Sequence, residues 1–205
     1  MREKPTIFVV DDDDAARDSL SVLLEAAGYS VQSFESAGQF LARVNALPFG
    51  CALVDIRMPE IGGLELQDTL KEKGIDVSII FITGHADVPV AVRAMRAGAI
   101  DFIEKPFAED LVLSAIARAL EHATERRRLS EAASSARARM EQLTEREREV
   151  FDQLVQGHPN KVIAANLDIS PRTVEIHRSR VMDKTHARSL SDLVRMALAL
   201  NRPSR

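Results

Sequence analysis

Five polar side chains stand where short apolar runs end. Asp11 and Asp12 follow the run 6–10, Asp55 closes the run that starts at Cys51, Thr83 follows the run 77–82, and Lys105 comes just after the run 100–103. If these runs are parallel strands, their C-terminal ends lie along one edge of a sheet, where open α/β sheets bind ligands. Three carboxylates crowded there repel one another unless a cation joins them. Hard oxygen ligands of this kind suit Mg2+, which keeps several waters and accepts a phosphate oxygen. An aspartate so placed can be a nucleophile towards a phosphoryl donor, forming an acyl phosphate. The metal and Lys105 would neutralise charge on the transferring oxygens, and the Thr83 hydroxyl could hydrogen-bond the product. Taken singly, each residue has an ordinary alternative: 11–14 as a polar loop, Lys105 as a surface charge. It is the set of five residues at four strand ends that points to chemistry.

The elements that must position these residues are legible as an alternation of apolar runs with helical patterns. Runs at 6–10, 29–34, 51–55, 77–82 and 100–103 are separated by helical stretches at 15–26, 39–45, 64–73 and 88–96, with a further helix from about Ala108. Strands that alternate with helices predict an α/β domain, a doubly wound five-stranded parallel sheet. Ser36 with Gln39 reads as a capping box, and Gly28, Gly74 and Gly98 stand where left-handed helix C-caps are wanted. From Leu111 to Met140 there is neither Pro nor Gly, so that helix is expected to run on as a linker. Within it Leu129, Ala133, Ala136, Met140 and Leu143 repeat with the spacing of a weak coiled-coil seam; a solvated, flexible helix is the alternative.

The C-terminal stretch reads as a compact all-α four-helix unit. Thr144 and Glu147 form a second capping box, and helices follow at about 160–167, 171–184 and 190–200. Ser170 before Pro171 is a strong start signal. The middle pair has the plan of a helix-turn-helix, with Ile163, Ala164 and Leu167 inward on the first helix, a turn at Asp168 and Ile169, and Val174 and Val181 anchoring the second. The remaining positions of the second helix offer Arg172, Thr173, Glu175, His177, Arg178, Ser179, Arg180 and Lys184. Basic groups among them can neutralise phosphates, and Glu175 can accept from cytosine. A solvated basic face is the plainer explanation of the same pattern. The expected domains are therefore 1–121, a helical linker 122–142, and 143–205.

Local wording adds a resemblance. Val9-Val10-Asp11-Asp12, Asp55-Ile56-Arg57-Met58-Pro59, Thr83-Gly84 and Lys105-Pro106-Phe107 resemble the signatures of response-regulator receiver domains, which have the flavodoxin-like sheet. That resemblance implies Asp55 as phosphoacceptor of a two-component system, with a sensor histidine kinase as donor. It implies Asp11, Asp12, Asp55 and the backbone carbonyl of Arg57 as Mg2+ ligands, a cis peptide at Lys105-Pro106, and Thr83 and Phe102 as switch residues. Many receivers have Tyr where Phe102 stands, so no phenolic hydroxyl takes part here; plain strand core is the other role open to Phe102.

Leu143-Thr144-Glu145-Arg146-Glu147, Asn160-Lys161-Val162-Ile163-Ala164 and Ser170-Pro171-Arg172-Thr173-Val174-Glu175-Ile176-His177 resemble LuxR/GerE-type DNA-binding domains. Carried over by position, Glu175, Ile176 and Ser179 would face base edges, while Lys161, Arg172, Thr173 and Arg178 would meet phosphate. The last helix would contribute a dimer contact. Thr185-His186 departs from the pattern, which favours an apolar residue there; His186 is expected on the surface. Thr83-Gly84-His85, Asp87-Val88-Pro89 and Asp101-Phe102-Ile103-Glu104-Lys105-Pro106-Phe107 resemble the FixJ type within this group, although Ala86 stands where that type usually has Gly. The resemblance implies a transcriptional activator of nitrogen-fixation or low-oxygen genes that forms a homodimer on phosphorylation through the surface 88–118, with double-stranded DNA and RNA polymerase as partners.

Composition bounds these readings. Residues 1–121 carry 20 acidic against 11 basic side chains and residues 144–205 carry 8 against 11, so the two ends suit different partners. Cys51 is the single cysteine, which excludes a disulfide framework and fits a reducing compartment. No 18-residue apolar run and no cleavable signal pattern occur, so the expected location is cytoplasmic, without a membrane partner. Two rivals remain. A Mg2+-dependent aspartyl-phosphate phosphatase, an enzyme rather than a regulator, wants a second Asp two residues after the nucleophile, where this chain has Arg57. A small-ligand-sensing LuxR-type regulator wants a signal pocket, which the acidic strand ends argue against.

Overall fold

A computed structural model of the chain describes residues 5–84 and 87–200. His85 and Ala86, part of the expected FixJ-type wording, lie outside the described residues. The chain divides into two compact units, Met1–Glu125 and Arg126–Arg205.

The first unit alternates strand and helix as β1 (Thr6–Val10), α1 (Asp14–Ala26), β2 (Ser30–Phe34), α2 (Ala37–Arg43), β3 (Gly50–Asp55), α3 (Gly63–Glu72), β4 (Ser78–Thr83), α4 (Val88–Arg96), β5 (Asp101–Glu104) and α5 (Glu109–Glu141). All neighbouring strands pair in parallel in the order β2-β1-β3-β4-β5. The strands sort by burial: β1 and β4 are buried throughout and β3 nearly so, whereas β2 at the edge is largely exposed. Because successive side chains point to opposite faces, Phe8, Val10, Ala52, Val54 and Phe81 join one core with residues of α2, α3 and α4. Ile7, Val9, Leu53, Ile80 and Ile82 join the other with residues of α1 and α5. Phe40 of α2 is fully enclosed, its ring 5.9 Å from that of Phe8 and 5.2 Å edge-on from Phe34. A ring so packed is worth about 3–5 kcal/mol against alanine.

The run of four aspartates divides its work. Asp11 and Asp12 follow β1, Asp13 is the N-cap of α1 with its carboxylate accepting from the Ala15 and Ala16 N–H groups, and Asp14 opens the helix. The expected box at α2 is only half made. Ser36 Oγ accepts from the Gln39 N–H at 3.2 Å, but the Gln39 side chain meets Glu35 rather than the N-cap. Gly63 shows why α3 can start against the end of β3. A Cβ there would lie 2.4 Å from the Asp55 carbonyl oxygen, so any side chain would push the helix off the strand that carries Asp55.

The second unit holds the last turns of α5, then α6 (Glu145–Val155), α7 (Asn160–Asn166), α8 (Pro171–Thr185) and α9 (Leu190–Leu200). The Thr144–Glu147 box is complete, with Glu147 N–H to Thr144 Oγ1 at 3.3 Å and Thr144 N–H to Glu147 Oε2 at 2.9 Å. Val150, Phe151, Leu154, Ile163, Val174, Val181 and Leu193 form the core. Ala136 and Leu143 are buried in this same core and Met140 packs on it. The C-terminal half of the expected coiled-coil seam is thus consumed inside the unit, because its apolar groups find partners on α6 to α9 before any second chain could supply them.

Candidate functional site: an acidic strand-end pocket and a helix-turn-helix

The sheet order reverses direction between β1 and β3, and a ligand crevice opens where that happens. Asp11 and Asp55 stand at the ends of those two strands, and they are 3% and 8% exposed. Lys105, just after β5, reaches between them: its Nζ donates to Asp11 Oδ2 at 2.7 Å and to Asp55 Oδ1 at 3.3 Å. A cis peptide joins Lys105 to Pro106, as expected. The Lys105 N–H also donates to the Thr83 carbonyl at 2.8 Å, so the lysine and the threonine are tied by backbone. Thr83 closes β4 and is 1% exposed. Asp55 Oδ2 accepts from the Arg57 N–H at 2.6 Å, and Asp11 Oδ1 from the Asp13 N–H at 3.0 Å. Phe102 on β5 is half-buried against the α2–α4 side of the sheet, so it borders both core and surface.

Electrostatics follow from this placement. Burial raises the pKa of Asp55 above its ordinary value; the Arg57 N–H works the other way, the neighbouring Asp11 charge adds to the rise, and Lys105 opposes it. Burial works against the Lys105 ammonium, but the hydrogen bond and charge of Asp11, with Asp55 behind them, hold its pKa above the usual lysine value. The strand ends hold two acids and one cation at close range.

Of the three acids expected to crowd together, two converge, while Asp12 is exposed. Among the described residues no group of three or more His, Cys, Asp or Glu stands close enough to hold a metal by itself. The donors that do converge are hard carboxylate oxygens already drawn to one cation, Lys105, and a set with few protein ligands suits Mg2+, which keeps most of its water. The residues present therefore fit such an ion.

In the second unit, α7 and α8 form the helix-turn-helix. The turn needs a left-handed residue, supplied by Asp168 at φ 52°, and closes through Ile169 N–H to the Ala164 carbonyl at 3.0 Å. Ser170 then caps α8, its Oγ accepting from the Thr173 N–H at 3.1 Å, with Pro171 in the first turn. Lys161, Arg172, Glu175, Ile176, Ser179 and Arg180 are exposed, and Thr173, His177 and Arg178 are half-buried. Ile176 is 47% exposed, an apolar group in water on an otherwise polar face.

The sequence places Lys184 among the groups that can reach nucleic acid, and the structure corrects that. Its Nζ donates to Glu147 Oε2 at 2.7 Å, and Glu147 is 2% exposed. The charge neutralises a buried carboxylate, whose pKa is lowered first by that hydrogen bond. Three further contacts were beyond sequence reasoning: Arg146 to the Leu167 carbonyl, Arg139 Nη1 to the Thr185 carbonyl at 3.2 Å, and Arg178 Nη1 to Asn160 Oδ1 at 3.2 Å. Each joins residues far apart in sequence, and no spacing rule announces it. Thr185, expected to be a departure, is fully buried and satisfies its hydroxyl on the Val181 carbonyl at 2.6 Å, so a polar residue fills an apolar place without an orphaned group. His186 is exposed and ends α8 in a left-handed conformation.

Comparison with known proteins matches both units. Residues 7–117 fit the response regulator receiver domain family, and residues 141–197 fit the bacterial regulatory proteins of the luxR family. The transcriptional regulatory protein FixJ of Rhizobium meliloti is 48% identical over 95% of this chain and 95% of its own length. Response regulator protein TodT of Pseudomonas putida is 44% identical over 93% of this chain and 84% of its own. Among solved structures, the response regulator StyR aligns with a TM-score of 0.83 at 42% identity, covering 95% of this chain and 98% of that one. Full-length FixJ from B. japonicum aligns at 0.60 and 45% identity, covering 96% and 97%. The order of the domains, the strand-end acids and the matched helix-turn-helix agree: the chain belongs to the two-component response regulators of the FixJ type, in which a receiver domain is joined to a luxR-family DNA-binding domain.

Proposed function

We propose that Asp55 accepts a phosphoryl group from a histidine kinase and that this event controls binding of the 143–205 domain to DNA. The observation that carries the reading is Lys105 Nζ held between Asp11 and Asp55, a cation placed where a transferring phosphoryl group needs its charge offset. A carboxylate oxygen of Asp55 forms the new O–P bond as the N–P bond to the donor histidine breaks. Lys105 balances the charge that collects on the phosphoryl oxygens, and the Thr83 hydroxyl hydrogen-bonds the product. Asp11, Asp12, Asp55 and the Arg57 carbonyl would hold Mg2+, which supplies charge neutralisation at the same oxygens.

Downstream, Thr83 and Phe102 rearrange and the 88–118 surface pairs two chains. Val88 and Met95, exposed at 74% and 45%, support that surface, since burying them on a second chain removes apolar area from water. Two linked domains present two recognition helices to a two-fold site. There Glu175, Ile176 and Ser179 read base edges, and Lys161, Arg172, Thr173 and Arg178 meet phosphate. The division into a receiver at 1–121, a linker at 122–142 and a DNA-binding domain at 143–205 belongs to this reading, as does action as an activator that recruits RNA polymerase in the cytoplasm. The similarity to FixJ proteins supports nitrogen-fixation or low-oxygen genes as targets.

Incubation with Mg2+ and a small phosphodonor should label the parent and not Asp55→Asn, and should convert the parent alone to dimer. Equal labelling of the two removes Asp55 from its role. Sequencing the DNA bound by the labelled protein tests the choice of genes, because a regulator of another pathway would select other promoters.

A further inference from the structure

Arg178 occupies an unusual position for a group that is to meet DNA. It lies on α8, half-buried, and one guanidinium nitrogen, Nη1, donates at 3.2 Å to Oδ1 of Asn160, the first residue of α7. Asn160 is itself half-buried and stands 18 positions earlier in the chain. An arginine side chain free in water gives up rotamer entropy when a phosphate immobilises it, about 0.5–1.5 kcal/mol. A carboxamide oxygen that already holds one edge of the planar guanidinium removes part of that cost, and it spends no charge, because the acceptor is neutral. The remaining donors of the fork keep a fixed direction.

We infer that Asn160 is a positioning residue for DNA binding: its carboxamide oxygen holds the Arg178 guanidinium in the orientation that meets the phosphate backbone. The inference rests on the Arg178 phosphate contact of the proposed function. Its chemistry differs from that of the neighbouring Lys184, whose charge is neutralised by Glu147, because the acceptor that holds Arg178 is a neutral amide.

The test uses the full chain with Mg2+ and a small phosphodonor present throughout, binding random-sequence duplex DNA over a range of salt, since a phosphate contact is independent of sequence. Asn160→Ala should weaken binding about two- to tenfold, the cost of immobilising the freed side chain. The slope of log affinity against log salt should stay unchanged, because the charge remains. Arg178→Ala should lower that slope by about one. In the Arg178→Ala background, Asn160→Ala should cost nothing further. Asn160→Asp favours the start of a helix and so keeps the fold, yet its carboxylate takes up the guanidinium charge and should lower the slope by about one.

If Asn160 merely stabilises α7, the two alanine effects add, or the slope falls in Asn160→Ala as several contacts are lost together; either result overturns the inference. A silent Asn160→Ala beside a sensitive Arg178→Ala overturns it as well and leaves the DNA contact standing. A silent Arg178→Ala strikes at the phosphate contact itself.

Discussion

Replacing Lys105 by methionine keeps the length and most of the volume of the side chain and removes its charge from between two carboxylates. At an effective dielectric constant of about 20, the attraction of Nζ is about 6 kcal/mol to Asp11 at 2.7 Å and about 5 kcal/mol to Asp55 at 3.3 Å. Desolvation of the ammonium and of both acids consumes most of this. Removing one partner of a fully buried pair costs about 3–5 kcal/mol. The Lys105 side chain is 27% exposed, so water reaches the acids once it is gone, and the net loss should be about 2 kcal/mol. Urea denaturation of parent and Lys105→Met at pH 7 and low salt measures it. The pKa of Lys105 is raised in the folded state, so its contribution is fully present below the ordinary lysine value of 10.5 and fades only as alkali carries the pH through the folded value. At the acid end the loss should shrink as Asp55, whose pKa burial raises, takes up its proton. Millimolar Mg2+ should also shrink it, by returning a cation to the same oxygens. A loss below about 0.5 kcal/mol, within the range of ordinary surface changes, or one that persists unchanged as Asp55 is protonated, would refute the claim that Lys105 acts through these charges.

Other expectations follow from the same structure. Burial raises the folded pKa of Asp55 above the ordinary 3.8, so ionising it costs folding energy, and that cost sets in as pH climbs from 3.8 through the folded value. Asp55→Asn should therefore gain stability relative to the parent across that window, and parallel melting curves at every pH would contradict this. The Glu147 pKa is lowered, so its stabilisation is present above 4.5 and lost as acid carries the pH through the folded value. Glu147→Gln keeps a capping acceptor but leaves Lys184 without its counter-charge, and should cost about 1–2 kcal/mol at neutral pH, less than a fully buried pair because Lys184 is partly in water. The difference should vanish on acidification; an unchanged neutral-pH midpoint would show that the pair contributes nothing. Asp168 holds φ at 52° in the helix-turn-helix turn, so Asp168→Gly should be neutral or raise the melting temperature of the second unit, and a fall would mean that the carboxylate makes a contact of its own. Glu175→Ala should relax the choice of DNA sequence more than it alters affinity for random DNA, as measured by selection from a randomised pool.

Much of the first unit is written locally. The strands at 6–10 and 51–55 announce themselves because a central parallel strand is buried on both faces and must be apolar throughout. Their ends carry Asp11 and Asp55, so the site is legible as soon as the strands are. The Thr144–Glu147 box and the Ser170-Pro171 start are equally local, since a cap is made within four residues. The resemblance to receiver and LuxR/GerE domains added what periodicity does not hold, such as the cis peptide at Lys105-Pro106.

Only the tertiary structure decided which charges are already taken. Lys184 and Arg178 look alike on the exposed face of a helical wheel, yet Lys184 is bound to Glu147, 37 positions earlier, and Arg178 to Asn160, 18 earlier. The seam at Ala136 and Leu143 has coiled-coil spacing but serves a core inside its own unit. At the strand ends, Asp11 and Asp12 are both acids after an apolar run. The burial of one and exposure of the other follows from the chain's turn into α1, where Asp13 takes the cap. Periodicity fixes the face on which a side chain emerges; which group waits on that face depends on how distant elements pack, and the strength of a charge in water depends on that neighbour.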